Sequence, residues 1–323
     1  MAAAAFPRGL AAAAKALVAA TFLLVIAGGL VTSTGSGLSV PDWPTTYGQN
    51  MFTFPPSKWV GGIRFEHSHR LIAATVGMLT VAFAVWAWAA RAPRSVKVLS
   101  AAAVAAVVVQ GVLGGLTVKY LLPTPISVAH ACLAQSFFSL TLVLAIVTSK
   151  GWRESAAPVS FSPRERAGLA AGLLALAAVF VQLVLGAWMR HSDAGLAIPD
   201  FPASFGRLVP DHWDAKIAVH FAHRAWAVVV AAAIFTAALV IRRVRRDRAP
   251  RRVAAALSAL LPVQMALGAL SIWSRKAVPL TVAHQTVGAL ILAGTAALSL
   301  SLARSEAARE AALGTPARSA VTA

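Results

Sequence analysis

Four histidines occur at matched positions in the two halves of this 323-residue sequence. An offset of 154 residues aligns His69 with His223 and His130 with His284. The same offset relates further pairs: Arg70 and Arg224, Gln110 and Gln264, Gly114 and Gly268, Pro125 and Pro279. One register kept over three separate apolar stretches indicates a duplicated unit. Histidines that are duplicated with their unit are the first candidates for chemistry.

The apolar surroundings of these histidines decide what they can do. A lone membrane histidine is commonly a hydrogen-bonded contact between helices. Ionisable side chains inside a membrane are costly and usually functional, however, and two imidazoles can hold a haem iron as axial ligands. Structural zinc sites use four nitrogen or sulfur ligands, whereas each half offers two matched histidines and the chain has one cysteine, Cys132. The pattern favours a bis-histidine haem site in each half and excludes an intrachain disulfide.

The residues next to these histidines suggest further roles. Arg70 and Arg224 each follow a ligand candidate, and a guanidinium can bind a haem propionate through two hydrogen bonds, although it can also extend to the membrane interface. Glu66 stands three residues before His69, where the second half has His220. A carboxylate beside one haem only would suit a proton acceptor, and the alternative is a helix-terminal charge. His67, His191 and His212 have no repeat partner, and we expect them to be solvated loop residues.

Composition identifies the elements that carry these side chains. The chain is 58% hydrophobic and 12% charged, against about 25% charged residues in soluble domains. Stretches long enough to cross a bilayer lie at 11–32, 66–90, 96–118, 125–148, 165–189, 217–241, 252–273 and 279–303. The sequence therefore predicts an all-α integral membrane protein with eight transmembrane helices.

The net charge of +18 is explained by membrane topology. Most Lys and Arg residues fall on one side of an eight-span count, so the positive-inside rule predicts a multi-pass cell-membrane protein with both termini in the cytoplasm. The long connections 33–65 and 190–216 are then outside. A basic charge placed in this way serves orientation in the lipid bilayer, and we expect no nucleic-acid partner.

The repeat also predicts the architecture. Each half has four spans, an even number, so the halves have the same orientation and form two tandem, parallel four-helix bundles. The linker from Lys150 to Pro163 separates a half at 1–157 from a half at 158–323. The outer loops GLSVPDWP (37–44) and GLAIPDFP (195–202) match at an offset of 158. Gly111, Gly114, Gly115 and Gly268 suit either close helix packing or room for a flat cofactor.

The motifs together resemble those of the haem A synthase family. The matching stretches cover all eight spans: GGLVTSTGSGLSVPDWP (28–44), EHSHR (66–70), QGVLGGLTV (110–118), His130, GAWMRHSDAGLAIPDFP (186–202), HFAHR (220–224), QMALGAL (264–270) and VAHQTVGA (282–289). Many members carry two cysteines in the first outer loop, and residues 33–65 contain none. The resemblance therefore implies a subtype that lacks the cysteine pair.

The resemblance implies a function for each half. It implies stepwise oxidation of a methyl group of haem O to the formyl group of haem A, with His69 and His130 facing the substrate haem in residues 1–157 and Glu66 as the catalytic group. His223 and His284 would ligate a haem b in residues 158–323 and pass electrons to a membrane acceptor. The resemblance also implies that the protein works with haem O synthase and with the proteins that assemble cytochrome oxidase.

Two other functions are compatible with the residue pattern. A di-haem b electron carrier needs the two histidine pairs but no carboxylate over one haem. A transporter can have parallel repeats, but its site lies near the midplane of the bilayer, whereas these histidines lie towards one face. The difference between Glu66 and His220 favours the enzyme.

Overall fold

The computed structural model describes residues 7–154, 161–245 and 248–304, and eight long apolar helices dominate these ranges. The helices are α1 (Arg8–Ser33), α2 (Ile63–Ala89), α3 (Arg94–Lys119), α4 (Thr124–Thr148), the short α5 (Lys150–Glu154), α6 (Pro163–His191), α7 (Ala215–Val244), α8 (Arg248–Trp273) and α9 (Val278–Leu302). All but α5 are long and apolar enough to span a bilayer, which confirms the eight predicted spans.

Several helices begin where the sequence provides a start signal. Pro125 and Pro279 lie in the first turns of α4 and α9, where a missing N–H costs no helical hydrogen bond. Ser162 and Glu165 form a capping box at the start of α6. Asp214 accepts the Ile217 amide at 2.7 Å at the start of α7.

The helices of each half pack in a ring. In the first half α1 and α3 each pack against both α2 and α4, and in the second half α6 and α8 each pack against both α7 and α9. The histidine-bearing helices, α2 and α4 or α7 and α9, are therefore the opposite members of each ring. The predicted boundary between residues 157 and 158 lies outside the described residues, and the division into two domains stays a prediction.

Helices α1, α4, α6 and α9 form the contact between the halves. A cluster of Val25, Phe138, Ala289 and Ala293 joins α1, α4 and α9, and each half also has its own apolar cluster. The alanines let the α9 backbone approach its neighbours closely, as small residues do in membrane helix packing. The two sets of histidines are held in one continuous helical body.

The two long connections that the topology prediction places outside, called here the outer loops, share a turn built on an aspartate. Asp42 accepts the amides of Tyr47 and Gly48 at 2.7 and 2.8 Å, and Asp200 accepts those of Phe205 and Gly206 at 2.8 and 2.7 Å. The hydrogen bonds from Gly206 and Phe205 lower the pKa of Asp200. Partial burial opposes the shift at Asp42, but hydrogen bonds from the Thr45 hydroxyl and these amides still lower its pKa. Both turns are therefore fixed by an ionised carboxylate at neutral pH.

Candidate functional site

Each of the four repeated histidines packs against a glycine of the neighbouring helix. A Cβ atom on Gly28, Gly114, Gly186 or Gly268 would lie 3.1, 3.3, 2.9 or 3.2 Å from the Cε1 atom of, respectively, His69, His130, His223 or His284. These distances are shorter than ordinary van der Waals contact, so a larger residue would displace the imidazole. The glycines fix the position of all four rings.

The four glycines singled out in the sequence differ in the side chains that they pack against. Gly114 and Gly268 make room for histidine rings. Gly115 instead makes room for the indole of Trp43, since an added Cβ would lie 2.6 Å from Trp43 Cδ2. Gly111 has no neighbour within 4 Å of its Cβ position. Two of the four glycines therefore belong to the histidine sites.

The rings of the second-half pair are separated by about the distance expected between two axial ligands. The ring centroids of His223 and His284 are 6.5 Å apart. An iron between two imidazoles, each bonded at about 2 Å as in other imidazole–metal bonds, would separate the centroids by roughly 6 Å. The Nδ1 atom of His223 is buried and has no hydrogen-bond partner among the described residues. A haem iron between these rings fits both the separation and the donor set.

Glutamine side chains lie beside three of the histidines. Gln110 Nε2 donates to the His130 carbonyl and Gln182 Nε2 to the His223 carbonyl, both at 3.0 Å. Gln264 Nε2 is 3.5 Å from His284 Nε2, and the backbone carbonyl of Gln264 is 3.1 Å from His284 Nδ1. Sequence reasoning missed Gln182. The offset of 158 that relates the outer loops could have identified it. This offset also aligns Gly28 with Gly186, and it aligns Leu24 with Gln182.

Glu66 lies at the junction of α2 and the first outer loop, where it is 3% exposed. Its Oε2 atom accepts the Val40 amide at 2.8 Å, and its Oε1 atom accepts from Arg70 Nη2 at 2.6 Å. Arg70 also donates to the carbonyls of Val40, Asp42 and Thr45 at 2.7 to 3.0 Å. The pair therefore ties the loop to the helix turn that carries His69.

His220 occupies the equivalent place in the second half. Its Nδ1 atom lies 3.2 Å from the Ile198 amide, and its Nε2 atom lies 3.1 Å from Arg224 Nε. Arg224 donates to the carbonyls of Ala203 and Ile198, both at 3.0 Å. The guanidinium groups of Arg70 and Arg224 thus both bind loop carbonyls, and their predicted contact with propionates stays a prediction.

The unrepeated histidines differ from expectation in two cases. His67 is fully buried within α2, with its ring 4.7 Å from that of Trp59 and 5.1 Å from that of Phe54. The prediction of a solvated loop residue was wrong because aromatic residues of the first outer loop cover this face of the helix. His191 is the half-buried last residue of α6, also not in a loop, whereas His212 is exposed in its loop as expected.

The chain is similar to known proteins over most of its length. Residues 13–60 and 63–296 match the family model described as cytochrome oxidase assembly protein. A protein of Shouchella clausii named heme A synthase is 32% identical over 77% of this chain and 82% of its own length. Another of that name, from Sphingopyxis alaskensis, is 30% identical over 93% of this chain and 94% of its own length. The chain belongs to the haem A synthase family.

The region that matches the haem A synthase family includes the histidine sites of both halves. The matched residues 63–296 include all four histidines, Glu66 and the glutamines beside the rings. A third relative, from Novosphingobium aromaticivorans, is 30% identical over 87% of this chain and 94% of its own length and has the same name. The family resemblance predicted from the motifs is therefore confirmed.

Proposed function

We propose that this protein is a haem A synthase, a membrane oxidoreductase that oxidises a methyl group of haem O stepwise to the formyl group of haem A. The observation that carries the proposal is one asymmetry between two matched histidine pairs. Each ring has its glycine, but the helix turn before the histidine presents a carboxylate, Glu66, in the first half and an imidazole, His220, in the second. One half is suited to substrate chemistry and the other to a resident cofactor.

In this proposal the second half binds haem b through His223 and His284. When bound, haem b supplies one-electron redox chemistry and passes electrons from the substrate site to a membrane acceptor. Gly186 and Gly268 hold the two rings in place, and Gln182 binds the backbone carbonyl of His223. Two imidazole ligands would leave the iron with no position for a substrate, which suits electron transfer.

In the first half His69 and His130 would orient haem O, and Glu66 would accept protons released during oxidation. Arg70 donates to one oxygen of the Glu66 carboxylate, and the Val40 amide donates to the other. At the position equivalent to Gln182 the first half has Leu24, which cannot donate a hydrogen bond as Gln182 does to the His223 carbonyl. The two sites therefore differ beside His69, the proposed ligand one helical turn after Glu66, which has no equivalent of Gln182.

The pigments of the purified protein distinguish this function from its main alternative, a di-haem b electron carrier. We expect extraction and chromatography to yield haem b together with haem O or haem A, because the enzyme holds a cofactor and a substrate or product. A preparation that contains haem b alone at two per chain, from cells that make haem O, would instead identify a carrier.

A further inference from the structure

Arg190 lies in the last turn of α6, at the contact between the two halves. Its Nη1 atom donates to Gln285 Oε1 at 2.9 Å, and its Nη2 atom donates to the Gly29 carbonyl at 3.1 Å and to Ser33 Oγ at 2.6 Å. Gln285 belongs to α9 of the second half, whereas Gly29 and Ser33 belong to α1 of the first. One guanidinium therefore joins three helices across the contact.

The contact fixes the helix turn that carries His284. Gln285 is the next residue along α9, and its Nε2 atom donates to the Val25 carbonyl of α1 at 3.3 Å. The approach depends on Gly29, since an added Cβ there would lie 3.2 Å from Gln285 Nε2. The Gln285 amide is thus held at both ends, by Arg190 and by α1.

This arrangement occurs once in the repeat. At the offset of 158 Arg190 aligns with Thr32, and at the offset of 154 Gln285 aligns with Ala131. The hydrogen-bond acceptors of Arg190 within the described residues are an amide, a carbonyl and a hydroxyl, all of them neutral. Arg70, in contrast, is paired with Glu66. The positive charge of Arg190 is therefore not cancelled by a carboxylate in the described part of the chain.

We propose that Arg190 raises the reduction potential of the second-half haem through its positive charge. The proposal rests on the proposed role of His223 and His284 as haem ligands. Reduction adds one negative charge to the haem, and a nearby fixed positive charge stabilises the reduced form. Arg190 contacts Gln285, the residue next to His284. If the guanidinium were about 10 Å from the iron, at an effective dielectric constant of about 20, it would change such an equilibrium by roughly tenfold. Arg190 would thereby favour electron flow from the substrate site into the second half.

A redox titration of the purified holoprotein, followed by the low-spin haem spectrum, tests the charge of Arg190. At a fixed potential we expect Arg190→Gln to lower the ratio of reduced to oxidised haem about tenfold, which is ~59 mV for one electron. Arg190→Lys keeps the charge and loses the forked geometry, so it should stay within about threefold of the parent. Arg207→Gln, on an exposed outer loop, is the matched control and should not change the ratio.

A second pair of variants keeps Arg190 itself. Ser33→Asp places a carboxylate next to the guanidinium and should lower the ratio as Arg190→Gln does, whereas the neutral Ser33→Asn should not. Equal effects of Arg190→Gln and Arg190→Lys, or of Ser33→Asp and Ser33→Asn, would overturn the charge role and leave a packing role. If His223→Ala leaves the low-spin spectrum unchanged, the ligand assignment fails first and this proposal with it.

Discussion

At the scale of single residues, the two halves use the same position to hold an outer loop but with different acceptors. The Glu66 carboxylate accepts the Val40 amide and Arg70 at the same time, one on each oxygen. A neutral imidazole accepts at only one of its nitrogens, so His220 cannot accept from both the Ile198 amide and Arg224. Glu66 therefore has a structural role in addition to its proposed catalytic one, and an experiment must separate the two.

Glu66→Gln tests the catalytic role, because its amide oxygen keeps one of the two hydrogen bonds, the number that a neutral His220 accepts in the second half, while the negative charge and the base are lost. We expect folding and the second-half haem spectrum to survive and haem A formation to fall by about 10²–10⁴, the usual cost of losing an acid–base group. Haem O or a partly oxidised intermediate should accumulate, as measured by pigment extraction from cells that express the variant.

His220→Gln is the matched control for the loop contact. It changes the equivalent position in the second half and should leave haem A formation close to the parental rate. Parental haem A formation by Glu66→Gln would show that Glu66 only holds the loop, and the catalytic group would then have to be sought elsewhere.

At the scale of helices, hydropathy predicted the spans but could not predict all of their contacts. Eight apolar stretches became eight helices because a backbone in lipid must satisfy its own hydrogen bonds. The contact of Gln182 with His223 was missed because α6 follows the loop offset of 158 and not the helix offset of 154. The cover over His67 was missed because Phe54 and Trp59 lie in an irregular loop with no periodicity to read.

The contact between Gly186 and His223 gives a prediction about helix packing. An added Cβ at position 186 would lie 2.9 Å from His223 Cε1, so Gly186→Ala should shift the low-spin haem spectrum and Gly186→Val should abolish it. Gly111→Ala is the control, since its Cβ would have no neighbour within 4 Å and it gains the same helix propensity. His223→Ala and His284→Ala should lose the spectrum outright, and a normal spectrum in both would contradict the ligand assignment.

At the scale of the whole molecule, duplication provides two matched sites, and the contact between the halves adds a polar link that has no counterpart in the repeat. Helices α1 and α4 meet α9 and α6 in a matching arrangement, so the repeat in the sequence predicted much of the packing. The hydrogen bond between Arg190 and Gln285 is an exception to this internal symmetry, because the aligned residues in the first half are Thr32 and Ala131. The sequence alone could not predict this contact, because its residues are 95 positions apart and have no counterpart in the first half.

The orientation of the molecule in the membrane gives the last prediction. The histidines lie in the early turns of α2, α4, α7 and α9, at the ends next to the outer loops, whereas most Lys and Arg residues lie at the opposite ends. Because loops rich in Lys and Arg stay in the cytoplasm, reporter fusions near Arg245 should report a cytoplasmic position and those near Thr46 an external one. A fusion near Arg94 is an internal control and should agree with Arg245. Reversed signals would place both haem sites near the cytoplasmic face, and electrons would then have to leave the protein on that side.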